Sequence, residues 1–125
     1  MANWVVKDEA LIERVAGLLS VAPVHSKKMF GTTAWFLDSN NTMFAGAWGE
    51  GIMVRVGGKR TIRLINSGEA EPFDPMDGKP MREYVLLSSE RIAEDDVLLT
   101  WLEEASEFAG SLPPKKKRTS KKKSG

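Results

Sequence analysis

The 125-residue chain contains no cysteine and a single histidine, His25. The first absence removes disulfide frameworks, thiolate nucleophiles and zinc–sulfur sites together, and it fits a reducing compartment. The second limits hydroxyl nucleophiles, which need a base held in place by a third group. His25 stands beside Val24 at the start of a predicted strand and reads as a surface or packing histidine, so no catalytic set is nominated. No histidine pair or His/carboxylate cluster has ligand spacing, and the acids lack the alternation of a calcium loop. No metal and no cofactor are expected. Long apolar runs are missing as well: no window approaches the roughly 18 residues of a membrane span. Asp8 and Glu9 interrupt "MANWVVKDEALIERVAGLL", where a signal peptide needs an unbroken apolar core. The expectation is a soluble cytoplasmic protein with no membrane partner.

Acids are also missing from one end. All 17 precede Pro114, whereas seven of the 18 basic residues, Lys115, Lys116, Lys117, Arg118, Lys121, Lys122 and Lys123, follow it. Eleven bases against 17 acids leave residues 1–114 at −6, within a chain of formal charge +1. Such a domain repels phosphate backbones on average, so nucleic-acid or other polyanion binding is expected through the tail only. The Lys/Ser run has nothing to bury. The chain therefore divides into an α+β domain over 1–114 and a disordered tail over 115–125.

What is present in the domain is periodicity. Leu11, Ile12, Val15, Leu18 and Leu19 recur at helical spacing between Lys7 and Ser20, and Pro23 ends the pattern. Gly31-Thr32, Ser39-Asn40-Asn41 and Gly49-Glu50-Gly51 then punctuate a run rich in aromatic and β-branched residues. They divide it into strands near 24–30, 33–38, 42–48 and 51–56. Connections this short force antiparallel pairing. "KRTIRLINSGEAE" alternates like a strand at Ile62 and Leu64, but the step to Ile65 and the Ser67-Gly68 stop favour a short helix. A fifth strand is predicted over Arg82 to Leu87, with Tyr84 and Leu86 opposing Val85 and Leu87. A final helix from about Glu94 to Ala109 carries Val97, Leu98, Trp101, Leu102, Ala105 and Phe108 as an apolar stripe, with acids in its first turn. The order is α-β-β-β-β-(α)-β-α. It predicts a two-layer α+β sandwich: an antiparallel sheet of four to five strands, with the N- and C-terminal helices on one face and the other face free.

Two glycine-rich stretches invite a phosphate-loop reading and fail it. A Walker A loop needs glycine five residues before its Gly-Lys and Ser/Thr directly after, but Met53 and Arg60 occupy those positions. Gly46, Gly49 and Gly51 join two strands rather than a strand and a helix, so they read as hairpin glycines. In "PFDPMDGKPMREYVLL" (72–87), Asp74 and Asp77 read as turn formers, because aspartate bonds its own backbone two residues on. Phe73, Met76 and Met81 read as that segment's anchors onto the body. Methionines and aromatics gather around the sheet; most belong to the core, but methionine also suits adaptable binding surfaces. The candidate partner-binding surface comprises Met29, Trp35, Met43, Trp48, Met53, Arg55, Phe73, Met76 and Met81.

"KKMFGTTAWFLD", "MFAGAWGEGIMVRV", "EPFDPMDGKPMREYVLL" and "WLEEASEFAGSLPPKKK", taken in order, resemble the N-terminal domain of the TfoX/Sxy family, bacterial proteins named for regulators of natural competence. The resemblance runs over about residues 5 to 117. It implies a compact α+β domain similar in outline to the sandwiches of secretion chaperones, with no catalytic residue or cofactor to carry over. Full-length competence regulators have a second, helical domain where this chain runs into its lysine tail. The expected function is that of a small non-enzymatic interaction module, regulatory or chaperone-like, with a protein partner or a second copy on the free sheet face. The competing expectation is an accessory nucleic-acid-binding protein acting through the tail.

Overall fold

The computed structural model describes residues 8–29, 31–75, 78 and 80–113. Its elements are α1 (Glu9–Leu18), β1 (Val24–Met29), β2 (Thr32–Leu37), β3 (Met43–Trp48), β4 (Gly51–Arg55), α2 (Gly58–Ser67), β5 (Glu71–Pro72), β6 (Tyr84–Leu87), a 3-10 turn (Ser89–Ile92) and α3 (Asp95–Gly110). The α+β class, the meander and both terminal helices are as the sequence predicts. The ambiguous segment is helical. Its ends show why: Gly57 enters with φ 96° and Gly68 leaves in the left-handed region at φ 80°, conformations open to glycine at little cost. At Gly57 a Cβ would also meet the Phe108 ring at 2.9 Å, so the turn from β4 into α2 accepts little else.

All strand pairs are antiparallel, in the order β1-β2-β3-β4-β6-β5. The sheet has six strands rather than four or five, because Glu71 and Pro72 pair with Leu86 and Val85. A two-residue strand is too short for alternation to reveal, and its proline sits at a sheet edge, where a missing N–H is tolerated. α1 starts where the Asp8 carboxylate accepts the Leu11 N–H at 3.0 Å. Asn40, buried in the β2–β3 turn, donates to the carbonyls of Ala109 and Leu112 and thereby fixes the end of α3.

The helices cover one face. Val15, Leu19, Trp35, Phe44, Ile52, Val54, Leu64, Val85, Leu87, Leu98 and Leu102 are buried there together. The β2–β3 register changes by one residue between Trp35 and Phe36. That bulge lets neighbouring Phe44 and Ala45 both enter the helix-side core. Trp101 only packs against this core from its margin, half-buried under Arg60, rather than inside it.

The second face is not left free. Phe73, fully buried, sits with Ala34, Phe36, Met43, Met53 and Tyr84 in a separate apolar cluster. A protein with two sheet faces and helices for only one must cover or wet the other. Here the proline-rich connection to β6 supplies the cover.

Candidate interaction face

Pleat parity decides which nominated residues share this second face. Met53 and Arg55 alternate with Ile52 and Val54 on β4, and Tyr84 and Leu86 with Val85 and Leu87 on β6. Met29, Met43, Trp48, Met53, Phe73 and Met81 are brought together. Trp35 is not: it lies with the helices at 3% exposure. Met76 and the basic residues from Lys115 to Lys123 lie outside the described residues.

The nominated residues fall into two layers. Met43, Met53 and Phe73 are buried at 7%, 2% and 0% exposure, so no partner touches them while the cover is in place. Gly46 leaves the hollow in which the Met53 methyl lies, since a Cβ there would meet Met53 Cε at 2.7 Å. Phe73 meets Trp48 edge-on at 5.1 Å and Tyr84 at 6.3 Å, aromatic geometries that stabilise beyond area alone. Around this plug Met29, Trp48, Met81 and Leu86 remain half-buried. Sequence reasoning did not nominate Leu86, although its parity with Tyr84 was the available signal.

Arg55 and Tyr84, which flank the plug, are satisfied within the protein, whereas the buried Thr32 hydroxyl on the same face of β2 has no partner among the described residues. Arg55 donates from Nε (2.8 Å) and Nη2 (2.6 Å) to Glu83 Oε1, and its guanidinium lies 5.6 Å from the Tyr84 ring. Tyr84 donates to the Met43 carbonyl at 3.1 Å. Burial raises the Tyr84 pKa above its ordinary value, with Arg55 opposing, so this phenol stays a hydrogen-bond donor at neutral pH. Arg55 is a tie between β4 and the segment before β6.

At the β1 side His25 stacks on Phe36 (5.6 Å), and the Lys27 ammonium lies 4.8 Å from the same ring. His25 Nδ1 lies 2.6 Å from Asp38 and Nε2 lies 3.1 Å from Asn41. Both ring nitrogens are thus engaged, which supports the packing role. A general base would need one of them facing a substrate proton. Both Asp74 carboxylate oxygens accept the Gly78 N–H, at 3.1 and 2.8 Å, the arrangement of a turn-forming aspartate; Asp77 lies outside the described residues. Among the described residues no three His, Asp or Glu side chains gather as a metal centre requires, and no helix is long and apolar enough to cross a membrane.

Outside this face, α2 and α3 are joined at a shallow cleft of about 300 Å³ lined by Arg60, Asp96, Val97, Thr100, Trp101 and Glu104. Arg60 makes a forked pair with Glu104 at 2.8 and 3.3 Å and lies 5.6 Å from the Trp101 ring. The hydrogen bond to Glu104 raises the Arg60 pKa, against a smaller opposing effect of burial.

The profile of the TfoX N-terminal domain family matches residues 16–109, which run from within α1 to one residue short of the end of α3. The first turns of α1 and the basic tail fall outside the match, which is narrower than the span of resemblance read from the motifs. No curated protein matches the chain.

Proposed function

The chain belongs to the TfoX N-terminal domain family, and from that premise we propose that it is a small, non-enzymatic protein-binding module with a regulatory role of the kind for which the family is named. The observation that carries this reading is the composition of the second face. Met29, Trp48, Met81 and Leu86 offer half-buried apolar surface around a packed centre, while Arg55 and Tyr84 are satisfied by Glu83 and a backbone carbonyl. Methionine and tryptophan are the side chains that adapt to and anchor protein partners. A second copy of the chain is one candidate occupant. Sedimentation of the pure chain and affinity capture from cell extract test the reading. Self-association or a captured protein is expected with the wild type, weakened about tenfold by Trp48→Asp. A monomer that retains no protein, or a partner indifferent to Trp48→Asp, contradicts it.

The charge asymmetry favours a second reading, in which the tail binds nucleic acid. Seven cations can neutralise at most seven phosphates, so log K should fall with log salt at a slope of up to about −6, with little sequence preference. Binding should vanish in a chain ending at Pro114. Equal binding by that shorter chain would place the interaction on the acidic domain and refute the charge argument.

A further inference from the structure

β1 closes one end of the sheet and pairs with β2 alone. The Asp38 N–H donates to the Pro23 carbonyl at 3.0 Å, which fixes the parity of this ladder. His25, Lys27 and Met29 turn their peptide groups toward β2, and Val24, Ser26 and Lys28 turn theirs away. Val24 donates its N–H to the Ala22 carbonyl at 2.9 Å, whereas the N–H and C=O groups of Ser26 and Lys28 have no backbone partner among the described residues. Beside this edge, the end of α1 stands off from β1 and leaves a solvent-open cavity of about 240 Å³, whose lining includes Ala16, Leu19, Val24, Ser26 and Trp35. Ser26 and Trp35 are direct cross-strand partners, so both face the helix side of the sheet. Trp35 is 3% exposed, yet no described residue accepts a hydrogen bond from its indole N–H. At the rim, Val21 is 96% exposed.

We infer that this edge takes an extended acidic segment of another protein as an added strand. The unpaired peptide groups supply the main-chain bonds of strand addition, and the cavity under α1 supplies the pocket that reads an alternate side chain. A guest residue opposite Ser26 points to the helix side, beside Leu19 and Trp35, so that residue is apolar. Charge selects its neighbours. β1 carries Lys27 and Lys28 and no acid, and both lysines are exposed. The Lys27 ammonium rests 4.8 Å from the Phe36 ring, and neither lysine makes an ion pair among the described residues. Antiparallel addition sets the two preceding guest residues opposite Lys28 and Lys27, where carboxylates make favourable cross-strand pairs. A second copy of the chain is the wrong occupant, because β1 against β1 brings lysines together, the usual way an edge is guarded against its own kind. The guest is therefore read as two acids followed by an apolar residue. This site lies on the helix side of β1, whereas Met29, Trp48, Met81 and Leu86 face the other way, so it does not rest on the second-face reading.

NMR titration of the full chain tests this with blocked heptapeptides, Ser-Glu-Asp-X-Thr-Thr-Ser, in which X is alanine, valine, leucine or phenylalanine, and with the same set carrying Lys-Lys for Glu-Asp. Acidic peptides with a large X should shift the Ser26 and Lys28 amides and the Trp35 indole signal, and should bind about tenfold or more tightly than their lysine counterparts. K27E/K28E should reverse that preference. Ser26→Pro removes an outward N–H without touching the bonds to β2, and edge strands accept proline there. It should weaken binding about tenfold or more while unfolding stays cooperative; where it does not fold, the charge reversal decides. Trp48→Asp should leave peptide affinity unchanged, which keeps a failure here apart from a failure of the second-face reading. The inference is overturned by an absence of shifts at millimolar peptide, by equal binding of the acidic and lysine sets, by a preference that K27E/K28E leaves unreversed, or by shifts confined to the second face. A dimer of the pure chain that Ser26→Pro dissolves also overturns it, since a second β1 would then be the occupant.

Discussion

Phe73→Ala should lower the unfolding free energy by about 3 to 5 kcal/mol, the range for truncating a fully buried phenylalanine. Phe73 is 0% exposed although it comes from an irregular connection whose neighbours, Pro72 and Pro80, are exposed. Its ring is the centre of the second cluster, in aromatic contact with Trp48 and Tyr84, so truncation leaves a cavity at the middle of that cluster. A domain of this size has about 5 to 15 kcal/mol in hand, so the variant should have a much lower urea midpoint and should expose the second face to protease. Phe73→Leu keeps most of the volume and should cost less than about 1.5 kcal/mol. A loss below 1 kcal/mol for the alanine variant, measured by equilibrium denaturation, would mean that the connection rests on the sheet without helping to hold it.

The same residue shows how far the sequence could be read. Its burial was legible, because a large apolar side chain between three prolines has little else to do than anchor the segment. What it anchors against was not legible. Helix periodicity identified α1 and α3, and turn residues divided the meander, because both signals are local. The neighbour of β4 is β6, about 30 residues on, and only the folded chain brings Val54 beside Val85. Trp35 shows a different limit. Composition grouped it with the methionines, but parity within β2 sends it to the helix side, opposite Ala34 and Phe36. The bulge at Phe44 then resets parity on β3, so that counting by twos from Ala47 would place Met43 on the wrong face.

Gly51→Ala is expected to be the most damaging small substitution in the chain, costing about 3 kcal/mol or more. Gly51 begins β4, paired across the hairpin to Trp48, and the Leu87 carbonyl oxygen of β6 lies 2.4 Å from where its Cβ would be. The contact is with backbone, so no rotamer change relieves it. Separating the strands would loosen the adjacent Ile52–Leu87 pair, both of whose side chains are fully buried. Overpacking of this kind usually costs about 1 to 3 kcal/mol, and rigid neighbours put it at the upper end or beyond. The other glycines supply the controls. At Gly46 the added carbon would meet the end of the flexible Met53 side chain at 2.7 Å, so a side-chain tip rather than backbone must shift. Gly46→Ala should therefore cost only about 1 kcal/mol. Gly17, exposed in the last turn of α1 with nothing within 4 Å, should gain up to about 0.5 kcal/mol as alanine, the lower end of the helix-interior difference between the two residues. One substitution at three sites thus yields a large loss, a small loss and a gain. If Gly51→Ala ranked with Gly46→Ala in thermal or urea denaturation, β4 and β6 would not approach as closely as the structure places them, and the tie between the meander and the Phe73 cover would need another account.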